Sequence, residues 1–130
     1  MKLLISTTQI DMITPRIRNI VSPISKAADL AYDFDLASME DLKVLELPDE
    51  TFQYLWSCGF FSRIDERCGT LIDDFEDERL ESEQLLEAVN VIDEYLKDGN
   101  LNREVLNFLS RLREMFAGAQ SRGTTVYIDF

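Results

Sequence analysis

The spacing of apolar residues changes period several times along this chain, and its clearest stretches lie in the second half. Leu85, Val89, Ile92 and Leu96 recur at helical intervals and mark one apolar stripe. Ser82 is the expected cap of that helix. Glu83 falls in its first turn, where the helix dipole favours an anion, and Asp98-Gly99-Asn100 stops it. A second stripe follows in Val105, Leu109, Leu112 and Phe116, with Phe108 and Met115 beside it and Arg111 and Arg113 toward its C-terminal end. So short a connection predicts an antiparallel helical hairpin. After Gly123 the period drops to two: Val126, Ile128 and Phe130 alternate with Tyr127 and Asp129, the pattern of a half-buried strand.

The first half is read from weaker signals. Leu3, Leu4 and Ile5 suggest a short strand, and pairing it with the C-terminal strand would close the domain. Thr14-Pro15 and Ser22-Pro23 each place a capping residue before a proline, as at a helix start, and predict two consecutive helices. Ile13, Ile17, Ile20, Ile24, Ala27 or Ala28, and Ala31 continue one stripe across both, fading near Asp33-Phe34-Asp35. Leu42–Leu47 reads as a third strand, with Leu42, Val44 and Glu46 on one face and Lys43, Leu45 and Leu47 on the other. Pro48-Asp49-Glu50 opens a short helix carrying Phe52, Leu55 and Trp56 as core residues, and Gly59 ends it. The sum is one α+β domain over residues 1–130, mainly helical, with a small antiparallel sheet joining the N- and C-terminal strands. With 130 residues, 45% of them hydrophobic and 29% charged, the chain can bury one core unaided.

Charge then changes the picture. The chain carries a formal charge of -12 and no histidine. Asp73, Asp74, Glu76, Asp77, Glu78, Glu81 and Glu83 crowd into one segment in which Arg79 is the sole basic residue. If Leu71 to Leu80 were helical, with Ile72 and Phe75 inward, then Asp73/Asp77, Asp74/Glu78 and Asp77/Glu81 would be like-charge pairs, each unfavourable by roughly 0.2–0.5 kcal/mol. Such a run either meets Arg and Lys side chains of its own fold, forms a solvated surface, or binds something basic. Nearby, Phe52, Tyr54, Trp56, Phe60 and Phe61 concentrate aromatic surface, and Tyr54 or Phe61 is the expected exposed anchor for a partner.

Enzymatic readings find little support. No histidine is present to act as a base near neutral pH, and G-x-S-x-G, P-loop and G-x-G-x-x-G motifs are absent. Cys58 and Cys68 are too few for a disulfide framework or a four-ligand zinc site and read as free thiols. The acidic run lacks the glycine and spacing of an EF-hand loop. Asp41-Leu42-Lys43, with Asp29, Asp33 and Asp35 upstream, has the acid-x-Lys spacing of some nuclease metal sites, a short match common in acidic chains. No enzyme activity and no cofactor is expected; a metal-dependent hydrolase using Asp73, Asp77 or Asp41 is the least favoured alternative. The apolar run near Met1 is too short for a signal-peptide core, no stretch is long enough to span a membrane, and the expected location is the cytoplasm. So acidic a chain would not seek nucleic acid or anionic lipid.

Three stretches, Trp56-Ser57-Cys58-Gly59-Phe60-Phe61, Leu71-Ile72-Asp73-Asp74-Phe75-Glu76-Asp77-Glu78 and Gly123-Thr124-Thr125-Val126-Tyr127-Ile128-Asp129-Phe130, sit in a small, acidic, histidine-free chain of mixed helix and strand. In this general character it resembles the immunity proteins of bacterial toxin systems, including those of contact-dependent growth inhibition. The resemblance implies a protein that binds one cognate toxin domain, often a nuclease, and occludes its basic active or substrate-binding site in place of the phosphate backbone. These families bind in different ways, so no binding residue carries over. The expected partner is thus a basic protein, met by Asp73, Asp74, Glu76, Asp77, Glu78 and Glu81 with Tyr54 or Phe61. The alternative is an adaptor or regulatory module that docks through apolar helix faces, including a homodimer built on the hairpin.

Overall fold

The structure is a computed structural model that describes residues 17–130 apart from residue 75. Its strands are β1 (Arg18–Pro23), β2 (Leu42–Leu47), β3 (Asp77–Leu80) and β4 (Val126–Asp129). Its helices are α1 (Lys26–Asp33), α2 (Asp49–Ser57), α3 (Phe60–Cys68), α4 (Ser82–Leu96) and α5 (Arg103–Arg122), with a 3-10 turn at Met39–Asp41. The strands form one antiparallel sheet in the order β2-β1-β4-β3, so the fold is α+β and the first described strand is hydrogen-bonded to the last. The strand expected at Leu3–Ile5 and the cap at Thr14-Pro15 lie outside the described residues.

Ile20, Leu45, Leu47, Leu80, Val126 and Ile128 line the inner face of the sheet and join one core with Phe52, Leu55, Phe60, Phe61 and Ile64 of α2 and α3 and the apolar stripes of α4 and α5. The hairpin forms as its spacing predicts. Leu85, Val89, Ile92, Val105, Leu109, Leu112 and Phe116 are all buried, and Arg113 Nε donates to Asp93 Oδ1 at 2.5 Å across the two helices. Helix α4 begins one residue earlier than its predicted cap allows. Glu81, not Ser82, is the N-cap, and its N–H donates to Gln84 Oε1 at 2.7 Å. Gly123 ends α5 with φ 72, a left-handed value that suits glycine, and turns the chain into β4.

Of the two consecutive helices expected, the first is not formed over its described part, whereas the second is α1 and ends at Asp33, where its stripe was expected to fade. Residues 18–23 are β1, and the stripe read through Ile17, Ile20 and Ile24 is broken: Ile20 is 1% exposed, whereas Ile17 is 68% and Ile24 41% exposed. Pairing on both sides, with β2 and β4, overrides a local helical period. Pro23 closes the strand, and the cap moves to Ser25, whose Oγ accepts the Ala28 N–H at 3.1 Å to start α1.

The acidic segment is not a helix either. Gly69 ends α3 in a left-handed conformation, and the Asp65 carboxylate then accepts Thr70 Oγ1–H at 2.7 Å and Ile72 N–H at 2.9 Å. That fastening buries Ile72 and leads the chain through a turn into β3 on the open edge of β4. A strand spreads the carboxylates to alternate sides, which avoids the like-charge spacing a helix would impose.

Candidate partner-binding face

Once folded, the acids of the run fulfil different roles. Asp74 is answered from within: its carboxylate accepts from Arg18 Nε at 3.1 Å and Nη2 at 3.0 Å. The same guanidinium pairs with Asp49 at the start of α2 and lies 3.8 Å from the centroid of Phe52. Burial alone would lower the pKa of Arg18, but the hydrogen bonds to Asp74 and Asp49 outweigh it and hold the group firmly protonated. Asp73 accepts the Asp74 N–H at 2.8 Å. Glu78 lies opposite Ile128, on the inner side of the sheet edge, and its carboxylate accepts the N–H groups of Leu71 at 2.8 Å and Arg79 at 2.9 Å. Glu81 accepts Thr125 Oγ1–H at 3.2 Å. These four residues brace the loop, so partner binding by them would have to compete with bonds inside the fold. Glu76 and Asp77 are exposed.

Register sets where Asp77 goes. Because Val126 and Ile128 face the core, Tyr127 and Asp129 face outward, and β3 places Arg79 opposite Tyr127 and Asp77 opposite Asp129. Helix α1 crosses this outer face near Tyr127. Its Tyr32 ring lies 4.6 Å from the Tyr127 ring, and its Asp29 carboxylate accepts Tyr127 O–H at 2.6 Å and Thr125 N–H at 2.9 Å.

Between α1 and β3 lies a hollow of about 340 Å³ lined by Tyr32, Asp33, Asp35, Asp77, Glu78, Arg79 and Tyr127. A second, of about 250 Å³, shares Asp33, Arg79 and Tyr127 with it and adds Lys26, Asp29, Leu30 and Thr125. By contrast, a hollow of about 350 Å³ beside β2 mixes Lys43 and Arg111 with Glu46 and Glu114 and carries no bias of sign.

The electrostatics of the acidic cleft register on its tyrosines. Burial raises the pKa of Tyr32, and the carboxylates of Asp129, Asp77 and Asp35 raise it further. Burial and the bond to Asp29 raise that of Tyr127. Arg79 lies within this field but is held loosely, its Nη2 3.5 Å from Asp33 Oδ1, its Nη1 4.0 Å from Glu81 and its guanidinium carbon 5.6 Å from the Tyr127 centroid. Carboxylates beside two aromatic faces can take a cation by charge-assisted hydrogen bonds and cation–π contact.

The aromatic anchors come out differently from the sequence expectation. Phe61 is 4% exposed, with its ring edge-on to Phe60 and Phe130 at 5.4 and 5.5 Å, so it is core and cannot serve as an exposed anchor. Tyr54 is partly buried against the same core. Trp56, expected inside, is 44% exposed, its ring 5.6 Å from Phe52. What sequence reading missed is the company Asp77 keeps: Tyr32, Asp33 and Asp35 from α1 and its turn, and Tyr127 and Asp129 from β4. The outward members of the β4 alternation were the available signal.

Among the described residues no three His, Cys, Asp or Glu side chains are grouped to hold a metal ion, and Cys58 and Cys68 are free thiols. No described helix is long and apolar enough to cross a membrane. Comparison with protein-family models, with curated proteins and with solved structures finds no match in any of the three.

Proposed function

We propose that this protein binds and neutralises a basic protein partner, as an immunity protein does a toxin domain, by seating a basic surface on the cleft between α1 and β3. The observation that carries this reading is the convergence of Asp33, Asp35 and Asp77 on a hollow floored by Tyr32 and Tyr127. Asp77 stands directly opposite Asp129 in the register of β3 and β4, which sets a further carboxylate near Tyr32. On this reading the carboxylates steer encounter and fix orientation, as charged rims do, and the partner is met in the cytoplasm.

The test is affinity capture from a lysate of the source organism, washed first at low and then at high salt, with wild type and an Asp33→Lys/Asp77→Lys variant in parallel. A stoichiometric basic protein retained by wild type at low salt, released at high salt and not retained by the variant supports the reading. Equal retention of the same partner by the variant removes the cleft from the mechanism.

One observation favours the adaptor alternative. Leu30, Phe34, Leu36 and Met39 are each at least 63% exposed. The apolar stripes of α4 and α5, in contrast, are taken up by the core, so an apolar docking face would lie on α1 and its turn and not on the hairpin.

A further inference from the structure

We infer that the partner presents a basic amphipathic segment, whose apolar side chains seat on Leu30, Phe34, Leu36 and Met39 while a Lys or Arg beside them enters the Tyr32–Tyr127 cleft. This rests on the function proposed above and adds the apolar half of the interface.

The four side chains are 63%, 66%, 79% and 72% exposed, within ten residues of chain. Leu30 and Phe34 are four apart and share one side of α1 and its cap. The turn that follows is hydrogen-bonded throughout: Phe34 N–H donates to Ala31 O at 3.2 Å, Asp35 N–H to Tyr32 O at 3.0 Å and Leu36 N–H to Ala31 O at 2.7 Å. Asp35 takes φ 59 to make this reversal, a conformation that aspartate tolerates better than most residues. The apolar side chains are therefore displayed by an ordered turn, and large exposed apolar groups gathered in this way mark interaction surfaces.

Charge selects the occupant. Asp33, Asp35, Glu40 and Asp41 are interleaved with the apolar residues, and residues 27–42 contain no Lys or Arg. A second copy of this chain would bring like charge against like, and so would an anionic lipid surface. Leu30 also borders the same hollow as Asp33, Arg79 and Tyr127, so the apolar stretch starts at the edge of the cleft.

The experiment uses the full chain and three synthetic peptides of equal length: an amphipathic Leu/Lys helix, a Ser/Lys peptide of the same charge, and a Leu/Glu peptide of the same apolar pattern. Calorimetry gives affinities, and amide chemical-shift changes give the site. The Leu/Lys peptide is expected to bind at least about tenfold more tightly than Ser/Lys, since buried apolar anchors carry most interface energy. Its shifts should cover residues 30–39, 77–79 and 127, and Leu/Glu should not bind. Phe34→Ser/Leu36→Ser, both surface changes checked by an unchanged thermal midpoint, should erase the Leu/Lys advantage and leave Ser/Lys binding as it was.

Equal affinity for Leu/Lys and Ser/Lys, or shifts that map away from residues 30–39, would overturn the inference while leaving the acidic cleft as a binding site. Self-association in sedimentation velocity that Phe34→Ser/Leu36→Ser abolishes would overturn it in favour of a second copy. Failure of every cationic peptide to bind would remove both this inference and the function it rests on.

Discussion

Arg18 and Arg79 both sit among carboxylates of the acidic segment, and the fold treats them in opposite ways. The Arg18 side chain is 5% exposed, makes two hydrogen bonds to Asp74, pairs with Asp49 and stacks on Phe52. The Arg79 side chain is 50% exposed and keeps its carboxylates at 3.5 and 4.0 Å. Around Arg18 the geometry is closed and leaves little for a ligand to gain. Around Arg79 two tyrosine rings and several carboxylates remain accessible, and the cation there is weakly held. One acidic run thus contributes an internal clamp through Asp74 and an exposed carboxylate at the cleft through Asp77.

The largest effect should come from breaking the clamp. Arg18→Met leaves Asp49 and Asp74 without their shared cation and frees the loop that leads into β3. Removing one partner of a buried ion pair costs roughly 3–5 kcal/mol. Asp49 and Asp74 retain side-chain exposures of 43% and 25%, so water can answer part of the loss. A destabilisation of about 3 kcal/mol, the lower end of that range, is expected in urea denaturation. A loss below about 1 kcal/mol, the scale of surface ion pairs, would put Arg18 in the same class as Arg79 and dissolve the contrast.

This contrast was only half legible in the sequence. Elements with a local period could be read: the hairpin from its 3.6-residue stripes, β4 and β2 from alternation, α2 from Pro48 and its apolar face. The element misread as a helix, residues 18–23, and the acidic stretch left without an assigned element, residues 77–80, are both decided by β4, which each joins along a different edge from far away in the chain. No local pattern announces that β4 recruits Asp77–Leu80, although the outward Tyr127 and Asp129 indicated an exposed polar face. The acidic run was evident, but its division into braced and exposed members depended on Arg18 and Asp65, neither of which belongs to the run. Asp33 and Asp35 were visible as acids, and only the crossing of α1 over β4 brings them to Asp77.

A middle-sized effect tests the floor of the cleft. Tyr127→Phe removes the bond to Asp29 and should cost about 1.5 kcal/mol at pH 7, typical of a hydrogen bond to a charged group. Its pH dependence has a defined sign. Burial and Asp29 raise the folded pKa of Tyr127, so the unfolded chain releases this proton first, near pH ~10. The stabilisation is fully present below that pH and is lost as pH rises toward the folded value. Urea titrations at pH 7 and pH 10.5 should show the gap between wild type and Tyr127→Phe narrowing at the higher pH. A gap that widened would mean the tyrosine ionises more readily in the folded protein.

A smaller effect on stability should come with a clear one on binding. Asp77→Asn removes one exposed carboxylate of the cleft and should shift stability by no more than about 0.5 kcal/mol. The same substitution should weaken binding of the Ser/Lys peptide. Unchanged stability with a loss in binding is what a carboxylate kept for recognition would give, whereas a loss of both would make Asp77 part of the bracing around Asp74.

The smallest stability change, and the sharpest contrast with Arg18, belongs to Arg79→Ala. Its pairs are long and half-exposed, so stability should shift by less than about 0.5 kcal/mol. Binding should move the other way from Asp77→Asn. Arg79 occupies the field of Asp33 over the ring of Tyr127, the position a partner's Lys or Arg would take. Its removal deletes a competing cation and leaves the carboxylates to the ligand. Calorimetry with the Ser/Lys peptide at low salt should therefore show tighter binding to Arg79→Ala than to wild type, by about 1 kcal/mol or less, the scale of an exposed cation–π or ion-pair contact. Weaker binding would mean that Arg79 organises the cleft, as Arg18 organises the loop, and that the two arginines differ in degree and not in kind.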